Sequence, residues 1–139
     1  MPEVFPITIY HNPDCGTSRN ALAMIEAAGY APDVVEYLQV GWTGALLRKL
    51  LADMGVSLRD LLREKGTPAA ELGLLESHVS EERILSAMID HPILVNRPIV
   101  TTPRGTKLCR PSETVLTLLD RQPDRFVKED GEIVLGEAR

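Results

Sequence analysis

The run Tyr10-His11-Asn12-Pro13-Asp14-Cys15-Gly16-Thr17-Ser18-Arg19 concentrates residue types that can do chemistry: a thiol beside an imidazole, a guanidinium and two hydroxyls. Val4 to Tyr10 before it is apolar and of strand length. Asn12-Pro13 and Gly16 are turn formers, and Ser18 is a good N-cap for a helix that follows. Cys15 is therefore predicted on a strand-to-helix turn, facing the N–H groups and positive end of a helix. Such a place favours thiolate over thiol and lowers a cysteine pKa from its ordinary value of about 8.5. The neighbours Asp14, Gly16, Thr17 and Ser18 are polar or small, which suits a nucleophile better than a buried structural cysteine.

Two cysteine chemistries can be tested on spacing. A phosphatase-type anion loop needs an arginine six residues after its cysteine, where this chain has Ala21. A dithiol redox motif needs a second cysteine three residues on, where it has Ser18. Cys15 thus lacks both a local phosphate cradle and a local resolving thiol. Any oxyanion must be held by distant arginines, and an oxidised Cys15 must be resolved from outside.

The loop resembles the active-site loop of the glutaredoxin-coupled arsenate reductases. The resemblance continues in Arg59-Asp60-Leu61-Leu62-Arg63, in His91-Pro92-Ile93-Leu94-Val95-Asn96-Arg97-Pro98-Ile99-Val100, and in Gly105-Thr106-Lys107-Leu108-Cys109-Arg110-Pro111-Ser112. These segments keep the family's order and spacing over most of the chain. The resemblance implies an α/β, thioredoxin-like three-layer fold with a mixed four-stranded sheet. It implies reduction of arsenate to arsenite by a Cys15 thiolate, with glutathione as co-substrate, glutaredoxin as partner and no bound cofactor. The family's three oxyanion-binding arginines map onto Arg63, Arg97 and Arg110. Arg97 and Arg110 each sit beside a proline at an element junction, whereas Arg63 has Arg59 one turn away. The resemblance also implies a cis Arg97–Pro98 bond facing the cysteine. Two unit charges about 4 Å apart repel by about 4 kcal/mol at an effective dielectric near 20, roughly a 1,000-fold slowing. Arginines that neutralise the oxyanion remove that barrier and can bind its oxygens bidentately.

His11, at the family's position four residues before Cys15, can lower the cysteine pKa or simply be hydrogen-bonded at the strand end. Ser18 can bond the thiolate as well as cap the helix. Cys109 is read as a buried structural cysteine, with a resolving thiol as the other option. His78 and His91 have no partners at metal-ligand spacing, so no metal site is expected.

The 139 residues fit one domain, and a net charge of −5 argues against a general nucleic-acid surface. Met1-Pro2-Glu3 has neither a basic nor an apolar leader region, no stretch approaches a membrane span, and two cysteines make no disulfide framework. A cytoplasmic monomer is expected.

Stepping outward from the loop, Val4–Tyr10 and Asp33–Tyr37 are predicted as parallel strands joined by a helix from Ser18 to Ala28, with Gly29 ending it. A helical insertion is predicted over about 43–91. Leu46, Leu47, Leu50, Leu51 and Met54 form one apolar stripe ended by Gly55. Ser57 starts a short helix, and Ser80 starts another with core face Ile84, Leu85, Met88 and Ile89. Ile99–Thr102 and Thr106–Cys109 read as a hairpin, and Ser112 as the cap of a last helix. The tail from Gln122 gives no reading. Two other functions share these features. Spx-type transcription regulators have this fold but sense oxidants through a CxxC pair, which Ser18 interrupts. A glutathione-dependent thiol reductase of another substrate would use the same cysteine and arginines.

Overall fold

The computed structural model describes residues 5–135, in two compact units. The first holds the described residues up to Glu36 and from Arg97 onward, and is built on a four-stranded sheet of order β2-β1-β3-β4. β1 (Thr8–His11) pairs in parallel with β2 (Asp33–Glu36), from Thr8 opposite Asp33 to His11 opposite Glu36. A parallel pair requires a crossover, and α1 (Gly16–Ala27) supplies it. β3 (Ile99–Thr102) then runs antiparallel to β1 and to β4 (Gly105–Leu108). The sheet is therefore mixed. Val4, the expected start of β1, lies outside the described residues.

The core of this unit forms where α1 turns Ala21, Met24 and Ile25 onto Ile7, Ile9 and Val100, with Val115, Leu118 and Leu119 packed alongside. Gly29, at φ 96°, follows α1 in the left-handed region that a side chain disfavours.

Two expected caps need correction here. Ser18 is not the helix cap: α1 begins two residues earlier, Cys15 takes the N-cap position and Ser18 is buried in the first turn. Ser112 is not a cap either. Ser112–Leu118 is a 3-10 helix whose N-cap is Pro111, and Ser112 is buried within it. The tail, unread in sequence, forms a hairpin of β5 (Arg125–Val127) and β6 (Ile133–Leu135), with Phe126 and Val134 packed on the core. Lys128 Nζ fixes it to the 3-10 helix through Glu113 at 2.9 and 3.0 Å.

The second unit, Tyr37–Asn96, is helical. It comprises α2 (Tyr37–Val40), α3 (Gly44–Met54), α4 (Leu58–Leu61) and α5 (Glu81–Asp90). Strand β2 thus stops one residue short of its expected end, and Tyr37 opens α2 instead. The caps follow the sequence. Thr43 Oγ1 accepts from Leu46 N–H, Gly55 ends α3 at φ 69°, and Ser57 and Asp60 form a reciprocal capping box. Ser80 caps α5, whose buried face is Ile84, Leu85, Ala87 and Met88. Ile89, expected in that face, lies on its rim and is exposed. Of the α3 stripe, Leu47 and Leu50 are fully covered, while Leu46, Leu51 and Met54 are half-buried.

Among the described residues no helix is long and apolar enough to cross a membrane, and no group of three His, Cys, Asp or Glu could hold a metal ion.

Candidate active site

Cys15 leaves the end of β1 through a closed loop. Its N–H donates to Asn12 O at 3.0 Å, and Asp14 N–H donates to Asn12 Oδ1 at 2.9 Å. The residue itself is extended, at φ −102° and ψ 120°, and its carbonyl accepts from Arg19 N–H as the first helical bond of α1. This is the N-cap conformation, which puts Cys15 at the positive end of α1, although its side chain makes no capping hydrogen bond. Burial pushes the Cys15 thiol up. The Ser18 N–H, the Arg97 charge, the Thr17 N–H and a hydrogen bond from the Arg97 side chain together outweigh it and hold the thiol below its ordinary range. Cys15 is only 7% exposed, so these donors act with little competition from water.

Two of the three arginines singled out in sequence meet at this cysteine. Arg97 ends the segment before β3, and Arg110 follows β4. Arg110 Nη1 donates to Arg97 O at 3.1 Å and approaches Cys15 Sγ at 4.0 Å. The β3–β4 hairpin thereby carries both guanidiniums to the end of the sheet where α1 begins. The Arg97–Pro98 bond is cis, as the resemblance implied, and Arg110–Pro111 is cis as well. Pro98 O accepts from Cys109 N–H at 2.9 Å, tying the two arginine-bearing segments together.

Arg63 belongs to the helical unit, just after α4. Its N–H donates to Leu94 O at 2.7 Å and its Nε to Lys65 O at 3.0 Å, and its carbonyl accepts from Thr67 Oγ1. Arg59 is committed differently: its Nη2 bonds the carbonyls of Glu76, Ser77 and Val79.

His11 and Ser18 form a buried pair, with Nδ1 and Oγ 2.6 Å apart. Ser18 Oγ also accepts from Asn12 N–H at 3.1 Å. Burial pushes the His11 pKa down; Glu36 raises it and Arg19 lowers it, with a net fall. The imidazole is then neutral near pH 7, which leaves Nδ1 free to accept the Ser18 proton. This geometry favours a hydrogen-bonding role for His11, holding the Ser18 hydroxyl, over a cationic one.

Cys109 is fully buried, and its Sγ faces Lys107 O at 3.7 Å. Burial pushes its thiol up to about 12, against a smaller lowering by Lys107.

Sequence reasoning missed one contact of this site. Arg19 is held by Glu129 from the β5–β6 turn, 110 residues away, and no local pattern announces that pairing.

A thiolate at a helix N-terminus, flanked by two guanidiniums, suits attack on a tetrahedral oxyanion. The comparisons with known proteins agree. The model of the ArsC family matches residues 10–118. An arsenate reductase of Synechocystis sp. is 58% identical over 132 residues, covering 94% of each chain. An arsenate reductase of Escherichia coli is 56% identical over 133 residues, covering 95% of this chain and 94% of the other. Among solved structures, an arsenate reductase from Vibrio cholerae superposes with a TM-score of 0.80 at 36% identity, covering 84% of this chain and all of that one. The mixed sheet with its βαβ opening is the thioredoxin-like fold of that group. With a family model spanning residues 10–118 and relatives matched over almost their whole length, the chain belongs to the ArsC family.

Proposed function

We propose that this chain is an arsenate reductase that converts arsenate to arsenite with electrons from glutathione and glutaredoxin. The observation that carries the reading is the Cys15 sulfur itself. It is held toward thiolate by the α1 N–H groups and Arg97, with Arg110 Nη1 4.0 Å away. The substrate class is supported by the relatives, which are arsenate reductases at 56–58% identity along almost their whole length.

In the proposed reaction arsenate binds against Arg97 and Arg110, and the Cys15 thiolate attacks arsenic with loss of an arsenic-bound oxygen as water. Neutralising the oxyanion removes the repulsion that would otherwise oppose this encounter. Glutathione then adds to the arsenic. Reduction from As(V) to As(III) takes two electrons, which come from the glutathione and glutaredoxin thiols as they join in a disulfide. An outside thiol is required by the local chemistry. The position three residues after Cys15 is Ser18, already engaged with His11 and Asn12, and the Cys109 proton is held too tightly for a nucleophile near pH 7. The chain would act as a cytoplasmic monomer without a bound cofactor.

The test is NADPH consumption with arsenate, glutathione, glutaredoxin and glutathione reductase, comparing the protein with Cys15→Ser. Arsenate-dependent turnover that vanishes in the variant is expected. Turnover in Cys15→Ser, or none in the unaltered chain with any glutaredoxin, would overturn the reading.

A further inference from the structure

The β5–β6 turn reaches the first turn of α1 through one residue. Glu129 accepts from Arg19 Nε at 2.8 Å and from Arg19 Nη2 at 2.9 Å, a fork-to-fork pair. The Glu129 N–H donates to Asn20 Oδ1 at 3.1 Å, so backbone and side chain grip consecutive residues of the helix. Arg19 has one more arm, and that arm leaves the pair. Nη1 donates to Pro13 O at 2.7 Å, on the loop that delivers Cys15.

These contacts form a chain of constraint. With two donors clamped by Glu129, the planar guanidinium is held in one orientation, and a third donor bonds the Pro13 carbonyl, two residues before Cys15. The turn bearing Glu129 is itself held at its base. Lys128 bonds Glu113 and Glu132, and Gly131 N–H closes onto Lys128 O at 2.9 Å. The contacts thus link the core-packed hairpin to the nucleophile loop through the half-exposed Arg19–Glu129 pair.

We propose that Glu129 is a positioning residue for the Cys15 nucleophile: by clamping Arg19, it fixes the Pro13–Cys15 loop so that the sulfur keeps its place at the start of α1 beside Arg110. The assignment rests on Cys15 being the nucleophile, but its test does not need arsenate. The charged and titratable groups around the sulfur are Arg97, Arg110, Arg19, Asp14 and His11, so the position of Glu129 allows opposing effects that differ in sign. If Glu129 acted only as a nearby negative charge, removing it would favour the thiolate, and the inflection of Cys15 alkylation with pH would fall. If it served only the fold, the inflection would stay put while the thermal midpoint dropped. Positioning makes the inflection rise, because a released loop lets the sulfur leave the positive end of α1 and Arg110.

The experiment follows iodoacetamide alkylation of Cys15 against pH in a Cys109→Ser background, for Glu129→Ala, Glu129→Gln, Arg19→Ala and the Arg19→Ala/Glu129→Ala pair. Thermal unfolding is recorded for each. An upward shift in both Glu129 variants is expected, with the double variant no further displaced than Arg19→Ala alone, since both act through one contact. In the arsenate assay the kcat of Glu129→Ala should fall about tenfold with little change in KM, the scale of a small misplacement of a reacting group. A fall or no shift in the Glu129→Gln inflection, in protein whose unfolding midpoint shows it folded, would overturn the proposal. So would additive shifts in the double variant. Failure of arsenate turnover in the unaltered chain would instead strike the proposed activity and leave the alkylation result standing.

Discussion

Cys15 and Cys109 belong to the same unit and are nearly equally hidden, at 7% and 0% exposure, yet their thiols move in opposite directions. Cys109 follows simple burial: its sulfur faces a carbonyl, an acceptor that gives a thiolate nothing, and its proton is held up to about pH 12. Cys15 also meets a burial penalty, but the N–H donors of α1 and the Arg97 guanidinium outweigh it. What faces the sulfur thus sets the direction of the shift at Cys15, whereas burial sets it at Cys109.

The arginines offer the hardest blow to that contrast. A hydrogen bond to a charged group contributes roughly 1.5–3 kcal/mol, so Arg97→Ala and Arg110→Ala should each lower kcat/KM for arsenate by about 10- to 150-fold. Lysine at these positions should restore only part, because it keeps the charge and loses the planar fork. Steady-state kinetics on the four variants decides this, and unchanged kcat/KM in both alanine variants would remove the oxyanion site. Arg59→Ala should act through stability, since that side chain bonds three loop carbonyls. Its thermal midpoint should fall while the kinetics of the folded fraction stay within a few-fold.

Altering Cys109 should barely touch turnover, because resolution is assigned to an outside thiol. Its effect belongs to stability at alkaline pH. The folded chain keeps the Cys109 proton until about pH 12, while an unfolded chain releases it near the ordinary thiol value of about 8.5. Between these values the unfolded state binds fewer protons, so Cys109 lowers stability as pH rises. Urea unfolding at pH 7 and pH 10 should show a smaller alkaline loss in Cys109→Ala than in the unaltered chain. An equal loss would mean that Cys109 is less enclosed than described. Loss of arsenate turnover in folded Cys109→Ser would point to an internal disulfide and break the comparison from the other side.

Much of this contrast was legible in the residues. The turn formers around Cys15 and the apolar run before it placed the sulfur at a helix start, and the absent arginine at Ala21 and absent cysteine at Ser18 excluded two local chemistries. The caps at Ser57 and Ser80 were legible because capping is a local exchange of hydrogen bonds. Ser18 misled for a related reason. It has the composition of a cap, but Cys15 took that position and Ser18 was drawn inward by His11 and Asn12. Ser112 was misplaced because Pro111 can itself stand before a first helical turn, leaving the serine to be buried. The tail was illegible because each of its strands is three residues long, too short to show a period. Its one contact with the site, Glu129 to Arg19, spans 110 positions that no local signal connects.

The central claim is that donors override burial at Cys15 and make it the nucleophile. Iodoacetamide alkylation of the Cys109→Ser protein, followed from pH 4 to pH 10, tests it most directly. Cys15 should label with an inflection below the ordinary thiol value of about 8.5, and Arg97→Ala should move that inflection upward. An inflection at or above the ordinary value, or one indifferent to Arg97, would contradict the account.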